Sequence, residues 1–296
     1  VGDIDFDHWK YDKVTAERQP GSTFKLFVYT EAMNQGLTPC DKRRDEYISM
    51  EVYDKKKHEM TIWRPSNANG SFSGDSIPLK SAFAKSINSV AVRLGQEMGI
   101  KRIIETAQKM GINSPLDDTP ALALGSSDVN LLEMACAYST IANNGKHHDP
   151  VLVTKIVDHD GKVVYEGPST EEQVIPYKSA FLMQQLLQGG MKEPGGTSQS
   201  LWGYVGNYRD TEFGGKTGHL QHFLAGLVVQ EQVVDDDAVQ QSYVYSPNGN
   251  LAVQYGSQFI GNKYRHLSLN GWNVQQQYGT DIQSQYNTEY PAYCFF

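Results

Sequence analysis

The chain has 296 residues, a formal net charge of −8, a pI near 5.5 and 39% hydrophobic residues. These values exclude a basic nucleic-acid-binding face and a disordered chain, and leave room for one large or two modest globular domains. Apolar runs no longer than Phe223 to Val229 exclude a membrane-spanning helix, and Cys40, Cys136 and Cys294 are too scattered for a disulfide framework or a metal site.

The opening, with Val1, Ile4 and Phe6 alternating with polar residues, predicts a short strand. It reads like the middle of a strand, which is expected of a fragment, with any anchor or leader lying upstream of it. Gln19-Pro20-Gly21 then stops the chain ahead of a helix from Ser22, because Pro and Gly before a Ser signal a helix start. Two strands are expected within residues 40–62, with a turn at Asp54-Lys55-Lys56-Lys57. One helix is expected from Ile77 to Leu94, since Leu79, Phe83, Ile87, Val90 and Leu94 fall on one side. Ile100–Met110 and Asn130–Ala142 give two more helices, and Val151–Glu166 a hairpin turning at Asp158-His159-Asp160-Gly161. Lys178–Leu187 is helical again, followed by the loop Glu193-Pro194-Gly195-Gly196-Thr197. Cys136, in an apolar run, reads as a small core residue.

The character changes after Gly218. Of the 26 Lys and Arg residues only Lys263 and Arg265 lie beyond it, and the remainder is rich in glutamine. Short runs such as Ser242-Tyr243-Val244-Tyr245 followed by Ser246-Pro247-Asn248-Gly249 read as β-hairpins.

Three short motifs carry chemistry. In Ser22-Thr23-Phe24-Lys25 a hydroxyl and an amine three residues apart share one helical face. A lysine can deprotonate that serine only if burial or another cation lowers its pKa from about 10.4, and Lys216 is a candidate for the second cation. Ser86-Ile87-Asn88 is expected on the helix climbing from Lys80; its serine could pass a proton and its asparagine could hold a substrate amide. Gly214-Gly215-Lys216-Thr217-Gly218 fits a strand whose glycines let a substrate backbone come close, with Lys216 and Thr217 able to bind a carboxylate. The spacing of a phosphate-binding loop is missing. In this order, the three sets suffice to form and discharge a serine acyl-enzyme on a substrate ending in a carboxylate.

Residues 1–218 resemble the transpeptidase domain of a class A (bifunctional) penicillin-binding protein. The resemblance rests on Arg18-Gln19-Pro20-Gly21-Ser22-Thr23-Phe24-Lys25, on Trp63-Arg64-Pro65-Ser66-Asn67 with Ser86-Ile87-Asn88-Ser89-Val90-Ala91, and on Leu122–Val129, Leu132–Ala135 and Glu193–Thr197. It implies a β-lactamase/transpeptidase-like α/β (α+β) fold, an antiparallel sheet flanked by helices with a helical subdomain. It also implies a DD-transpeptidase that acts on D-Ala-D-Ala stem peptides of peptidoglycan at the extracytoplasmic face of the bacterial inner membrane. Ser22 would be the nucleophile, Lys25 the general base and Ser86 the proton relay. Asn88, Lys216, Thr217 and Gly218 would bind substrate, and the backbone N–H groups of Ser22 and His219 would form the oxyanion hole. The implied partners are stem peptides and, as covalent inhibitors, β-lactam antibiotics, with neither metal nor cofactor and no nucleic acid. Contact with the membrane would run through a segment outside this chain.

The sequence departs from the family after Gly218. Where the family continues with Thr and a further Ser or Thr, this chain has His219-Leu220-Gln221-His222, so the expected hydroxyl is gone. The division expected is a transpeptidase unit over 1–229 and a divergent β-rich tail over 230–296, which a frameshift or fusion at 218–219 would explain. Three alternatives stay open: a DD-carboxypeptidase, a serine β-lactamase, and a non-catalytic or damaged module that binds peptidoglycan or β-lactams. The β-lactamase reading lacks a Glu-x-x-Leu-Asn signature between residues 100 and 216. His147, His148 and Asp149 are expected in a surface loop rather than a metal site, and Asp235-Asp236-Asp237 in a solvated turn.

Overall fold

The computed structural model describes residues 12, 14–54, 57–168, 170–205 and 212–218, together with strands 226–231, 241–245, 251–255 and 292–295. In the first half, helix α1 (Lys25–Asn34) is followed by short strands β1 (Lys42–Arg44), β2 (Met50–Asp54), β3 (Glu59–Trp63) and β4 (Ser76–Pro78). Helices α2 (Leu79–Ala84), α3 (Asn88–Met98), α4 (Ile100–Lys109) and α5 (Leu131–Ala142) come next. Strands β5 (Lys146–His147), β6 (Lys155–Val157), β7 (Val163–Glu166) and β8 (Glu172–Gln173) lead to α6 (Tyr177–Lys192) and α7 (Trp202–Val205). The chain then enters β9 (Glu212–Phe213), β10 (Gly215–Gly218), β11 (Gly226–Glu231), β12 (Gln241–Tyr245), β13 (Leu251–Tyr255) and β14 (Ala292–Phe295).

Helix α1 is the centre of the molecule. Leu26, Phe27, Val28, Tyr29 and Ala32 are fully buried on every side of it, and α3, α4 and α6 pack around it. A helix buried all round belongs inside a core rather than on its surface, and α1 takes Lys25, Thr30 and Glu31 inside with its apolar residues. By contrast α4 is two-faced, burying Ile103 and Ala107 while Lys101, Arg102 and Lys109 stay outside. Asn130 caps α5, its Oδ1 accepting the Glu133 N–H at 2.9 Å.

The principal sheet runs β10-β14-β11-β12-β13, with β9 pairing against β11. Its pairs are antiparallel, as expected, apart from β11–β14, which is parallel at Val228↔Phe295. The Lys-Thr-Gly strand β10 thus stands at the end of this order, paired with β14 from beyond residue 218 in the register Lys216↔Cys294. Helix α6 packs on β9 and β10, close enough at Gly214 that a Cβ would lie 3.1 Å from Leu187.

The hairpins β2–β3 and β6–β7 form as the sequence predicts, the second turning through Gly161 at φ +80°. Helix α6 is longer than expected, running on through Gly189 and Gly190. His147 is not in a loop: it lies in β5, mostly covered, with Nδ1 3.0 Å from the Thr140 hydroxyl. Cys136 is partly buried, and burial pushes its thiol up to about 11. The opening strand, residues 219–225 and the Asp235–Asp237 turn lie outside the described residues. Among the described residues no helix is long and apolar enough to cross a membrane.

Candidate active site

Ser22 sits in a 3-10 turn, Gly21–Phe24, that feeds directly into α1. The Lys25 N–H donates back to the Ser22 carbonyl, and this i to i+3 closure eclipses the two side chains on one face. The α-helix therefore starts at Lys25 rather than at Ser22. Main-chain contacts hold the turn: Gly21 N–H donates to Gly125 O at 3.3 Å, and Arg18 and Val129 exchange both backbone bonds at 2.9 Å. Gly125 has φ +75°, and a Cβ there would lie 2.2 Å from the Gly21 carbonyl oxygen, so only glycine fits. Tyr138 from α5 donates its hydroxyl to Thr23 O at 2.9 Å and fixes the turn from behind.

Ser86 is not on a continuous helix. The single helix predicted over 77–94 is broken: α2 stops at Ala84 and α3 starts at Asn88. The break is a Schellman turn, with Ser86 N–H donating to Phe83 O at 3.0 Å and Ile87 N–H to Ala82 O at 2.9 Å. Its left-handed position, normally glycine, is taken by Ser86 at φ +56°. The apolar period ran unbroken through 77–94 because both helices bury the same side, so periodicity could not reveal the turn. The strained backbone aims a hydroxyl where a helical Ser86 would not.

That hydroxyl lies between two lysines. Lys25 Nζ is 3.1 Å from Ser86 Oγ, and Lys216 Nζ is 2.8 Å from it. Lys25 also donates to the Ser86 carbonyl at 2.8 Å and to Asn88 Oδ1 at 2.6 Å. Both lysines are buried. Burial, and after it the charge of Lys216, holds Lys25 well below the 10.5 ordinary for lysine. The Ser86 hydroxyl thus bridges the two amines, and when Lys25 is neutral the Ser86 proton can face the Lys25 nitrogen or be given to a ligand. Such an arrangement can take a proton from a nucleophile and hand one to a leaving amine.

The third motif forms β10, as expected, and leans on the nucleophile turn. A Cβ at Gly218 would lie 2.7 Å from Thr23 Cγ2, which is why glycine ends the motif. Lys216 points at Ser86, 2.8 Å away, and at the Thr217 carbonyl, 2.7 Å away. The Thr217 hydroxyl donates to Thr197 Oγ1 at 2.6 Å, and Thr197 donates in turn to Ala84 O at 3.2 Å. Asn88 keeps capacity to spare: its Nδ2 donates to Ser66 O at 2.8 Å, leaving a second N–H for a ligand. His219 lies outside the described residues. Thr197, Asn67 and Gly125 contribute to the site without having been given roles from the sequence, although all three fall in segments that carried the family resemblance.

The penicillin-binding protein transpeptidase-domain model matches residues 2–226. The chain belongs to that family. Penicillin-binding protein 2D of Bacillus subtilis is 34% identical over 190 residues, covering 64% of this chain and 27% of that protein. Penicillin-binding protein 1A of Pseudomonas aeruginosa is 37% identical over 184 residues, covering 59% and 21%. The chain thus spans only about a fifth to a quarter of these relatives' lengths. The crystal structure of penicillin-binding protein 1A from Haemophilus influenzae has the same fold, with a TM-score of 0.65 at 24% identity, over 89% of this chain and 41% of that one. The Mycobacterium tuberculosis PonA1 protein in complex with penicillin V matches with a TM-score of 0.54 at 20% identity, covering 80% and 59%. The transpeptidase fold is thereby established for this penicillin-binding protein homologue.

Proposed function

We propose that this domain is a serine DD-transpeptidase of peptidoglycan synthesis. The observation that carries the proposal is the Ser86 hydroxyl held within 3.1 Å of Lys25 and 2.8 Å of Lys216, with Lys25 buried one 3-10 turn after Ser22. Lys25 takes the proton of Ser22 Oγ as it attacks the penultimate D-alanine carbonyl of a stem peptide. The peptide C–N bond breaks, the leaving D-alanine amine takes its proton through Ser86, and an acyl-Ser22 ester remains. The amine of a second stem then attacks the ester, loses a proton to the same relay, and releases Ser22 with a new peptide cross-link. Lys216 and Thr217 neutralise the terminal carboxylate, and Asn88 holds the substrate amide. The backbone N–H groups of Ser22 and His219 receive the oxyanion.

A β-lactam offers the same carbonyl in a ring whose amine cannot diffuse away, so it acylates Ser22 and stays. In this reading residues 1–229 form the transpeptidase unit and 230–296 a divergent β-rich extension. The domain works on the extracytoplasmic side of the inner membrane. Intact-protein mass spectrometry with penicillin tests the proposal: a stable adduct of one drug mass is expected, and none on Ser22→Ala. An unmodified wild-type chain, or an adduct that survives Ser22→Ala, overturns it.

A further inference from the structure

The Ser86–Asn88 turn needs a support that its own residues do not supply. Helix α3 begins at Asn88, and its first N–H groups have no partner within the helix. The cap position is Ile87, whose side chain cannot accept a hydrogen bond. The missing acceptor comes from a distant segment. Asn67 Oδ1 accepts the N–H of Asn88 at 3.0 Å and that of Ser89 at 3.1 Å.

Asn67 is itself held in one orientation. Its Nδ2 donates to Asp45 Oδ1 at 2.7 Å and to the Ser71 carbonyl at 2.9 Å, so two donors and two lone pairs are all used. Turned over, the amide would set its NH2 against two backbone N–H groups and its oxygen against a carboxylate. Asp45 is buried, 3% exposed, and is fixed by the Ser89 hydroxyl at 2.5 Å and the Ser73 N–H at 2.9 Å as well as by Asn67. Burial opposes its charge, but these hydrogen bonds outweigh burial and keep the carboxyl below the ordinary carboxylate range. A negative charge two bonds from a helix N-terminus also suits the helix dipole.

We infer that Asn67, locked by Asp45, is a positioning residue that sets the Ser86–Asn88 turn against Lys25. The path is continuous: Asp45 orients Asn67, Asn67 clamps the backbone of 88 and 89, and Asn88 Oδ1 meets Lys25 Nζ at 2.6 Å. Neither Asp45 nor Asn67 touches the lysines or Ser86 in any hydrogen bond of this network, so both act through Asn88 and Ser89. The inference deepens the proposed transpeptidase reading and, for its effect on rate, rests on it.

Swapping the polarity of the pair tests it. Asn67→Asp sets two acids face to face, and Asp45→Asn lets the amide turn. The double variant D45N/N67D restores a donor facing an acceptor; the Ser71 carbonyl loses its partner, and the Ser89 hydroxyl changes from donor to acceptor of the new amide at position 45. Each single variant is expected to slow penicillin acylation at saturating drug by about 10- to 100-fold with little change in drug affinity, because the reacting groups are misplaced rather than lost. The double variant should recover most of the rate, which a merely stabilising pair would not require. Hydrogen–deuterium exchange is read alongside. The peptide covering 86–94 should exchange faster in each single variant and return to wild-type protection in the double, with α5 unchanged throughout.

Single variants that acylate like wild type, or a double variant no better than the worse single, overturn the inference. If a single variant does not fold, a folded double variant with wild-type protection at 86–94 supports it, and an unfolded double overturns it. If wild type takes no penicillin, the functional reading falls, while the exchange pattern still decides the positioning role on its own.

Discussion

The Ser22 arm and the Ser86–Asn88 arm of this site are built from different materials. Ser22 is placed by main chain against main chain, Gly21 on Gly125 and Arg18 on Val129, with Gly218 closing on Thr23. Ser86 and Asn88 are placed by buried polar side chains, Asn67 and Asp45, on a backbone that adopts a left-handed residue. Backbone packing tolerates no added atom but is indifferent to charge. A polar bracket tolerates substitution of shape better, yet depends on every donor facing an acceptor. The Ser22 arm is therefore sterically fixed, and the Ser86–Asn88 arm is electrostatically fixed.

The largest expected effect breaks the first arm. Gly125→Ala forces a Cβ into the Gly21 backbone at a positive φ, and should cost about 3 kcal/mol of stability, with acylation lost alongside. Thermal unfolding with penicillin labelling reads both, and a variant as stable as wild type would refute the main-chain account.

The second effect belongs to the Ser86–Asn88 arm. Lys25 must be neutral to act as a base, and its pKa lies below 10.5 because of burial and Lys216. Acylation should thus fall tenfold per pH unit, or about 1.4 kcal/mol, on the acid side of that pKa, with the limb well under the ordinary lysine value. Between that pKa and 10.5 the unfolded chain binds a proton that the folded chain refuses, so this group's share of stability rises with pH across the window. A rate profile whose limb sits at 10.5 would contradict the buried pair.

The smallest effect falls on the link between the arms. Thr197→Val keeps the shape and the Thr197 N–H bond to Ala84 but removes the hydroxyl that receives Thr217. A loss of about 1 kcal/mol is expected, with acylation by a substrate bearing the carboxylate weakened more than by one lacking it. Equal effects on both would remove Thr197 from the carboxylate side of the site.

The order of Ser22-Thr23-Phe24-Lys25, Ser86-Ile87-Asn88 and Lys216-Thr217-Gly218 was legible at once, because each residue type is dictated by the chemistry it serves. The helices at 100–109 and 131–142 and the hairpins at 50–63 and 155–166 were legible from local period and turn chemistry. The break between α2 and α3 was not. Its apolar spacing continues through the turn, and the turn itself is specified by Ser86 in a backbone state that glycine usually occupies. Nor were the partners of the turn legible, since Asp45 and Asn67 lie 44 and 21 residues from the groups they hold.

By itself, then, the sequence determined the three motifs, the family and many of the local elements, all of which are encoded by residue type and short spacing. Tertiary structure alone decided that Ser86 lies between two buried lysines, that Gly125 must be glycine because Gly21 is its neighbour, and that Asn67 caps a helix it is not part of. Those facts arise from contacts between segments distant along the chain, where burial changes what a charge costs and where a missing Cβ makes room for another backbone.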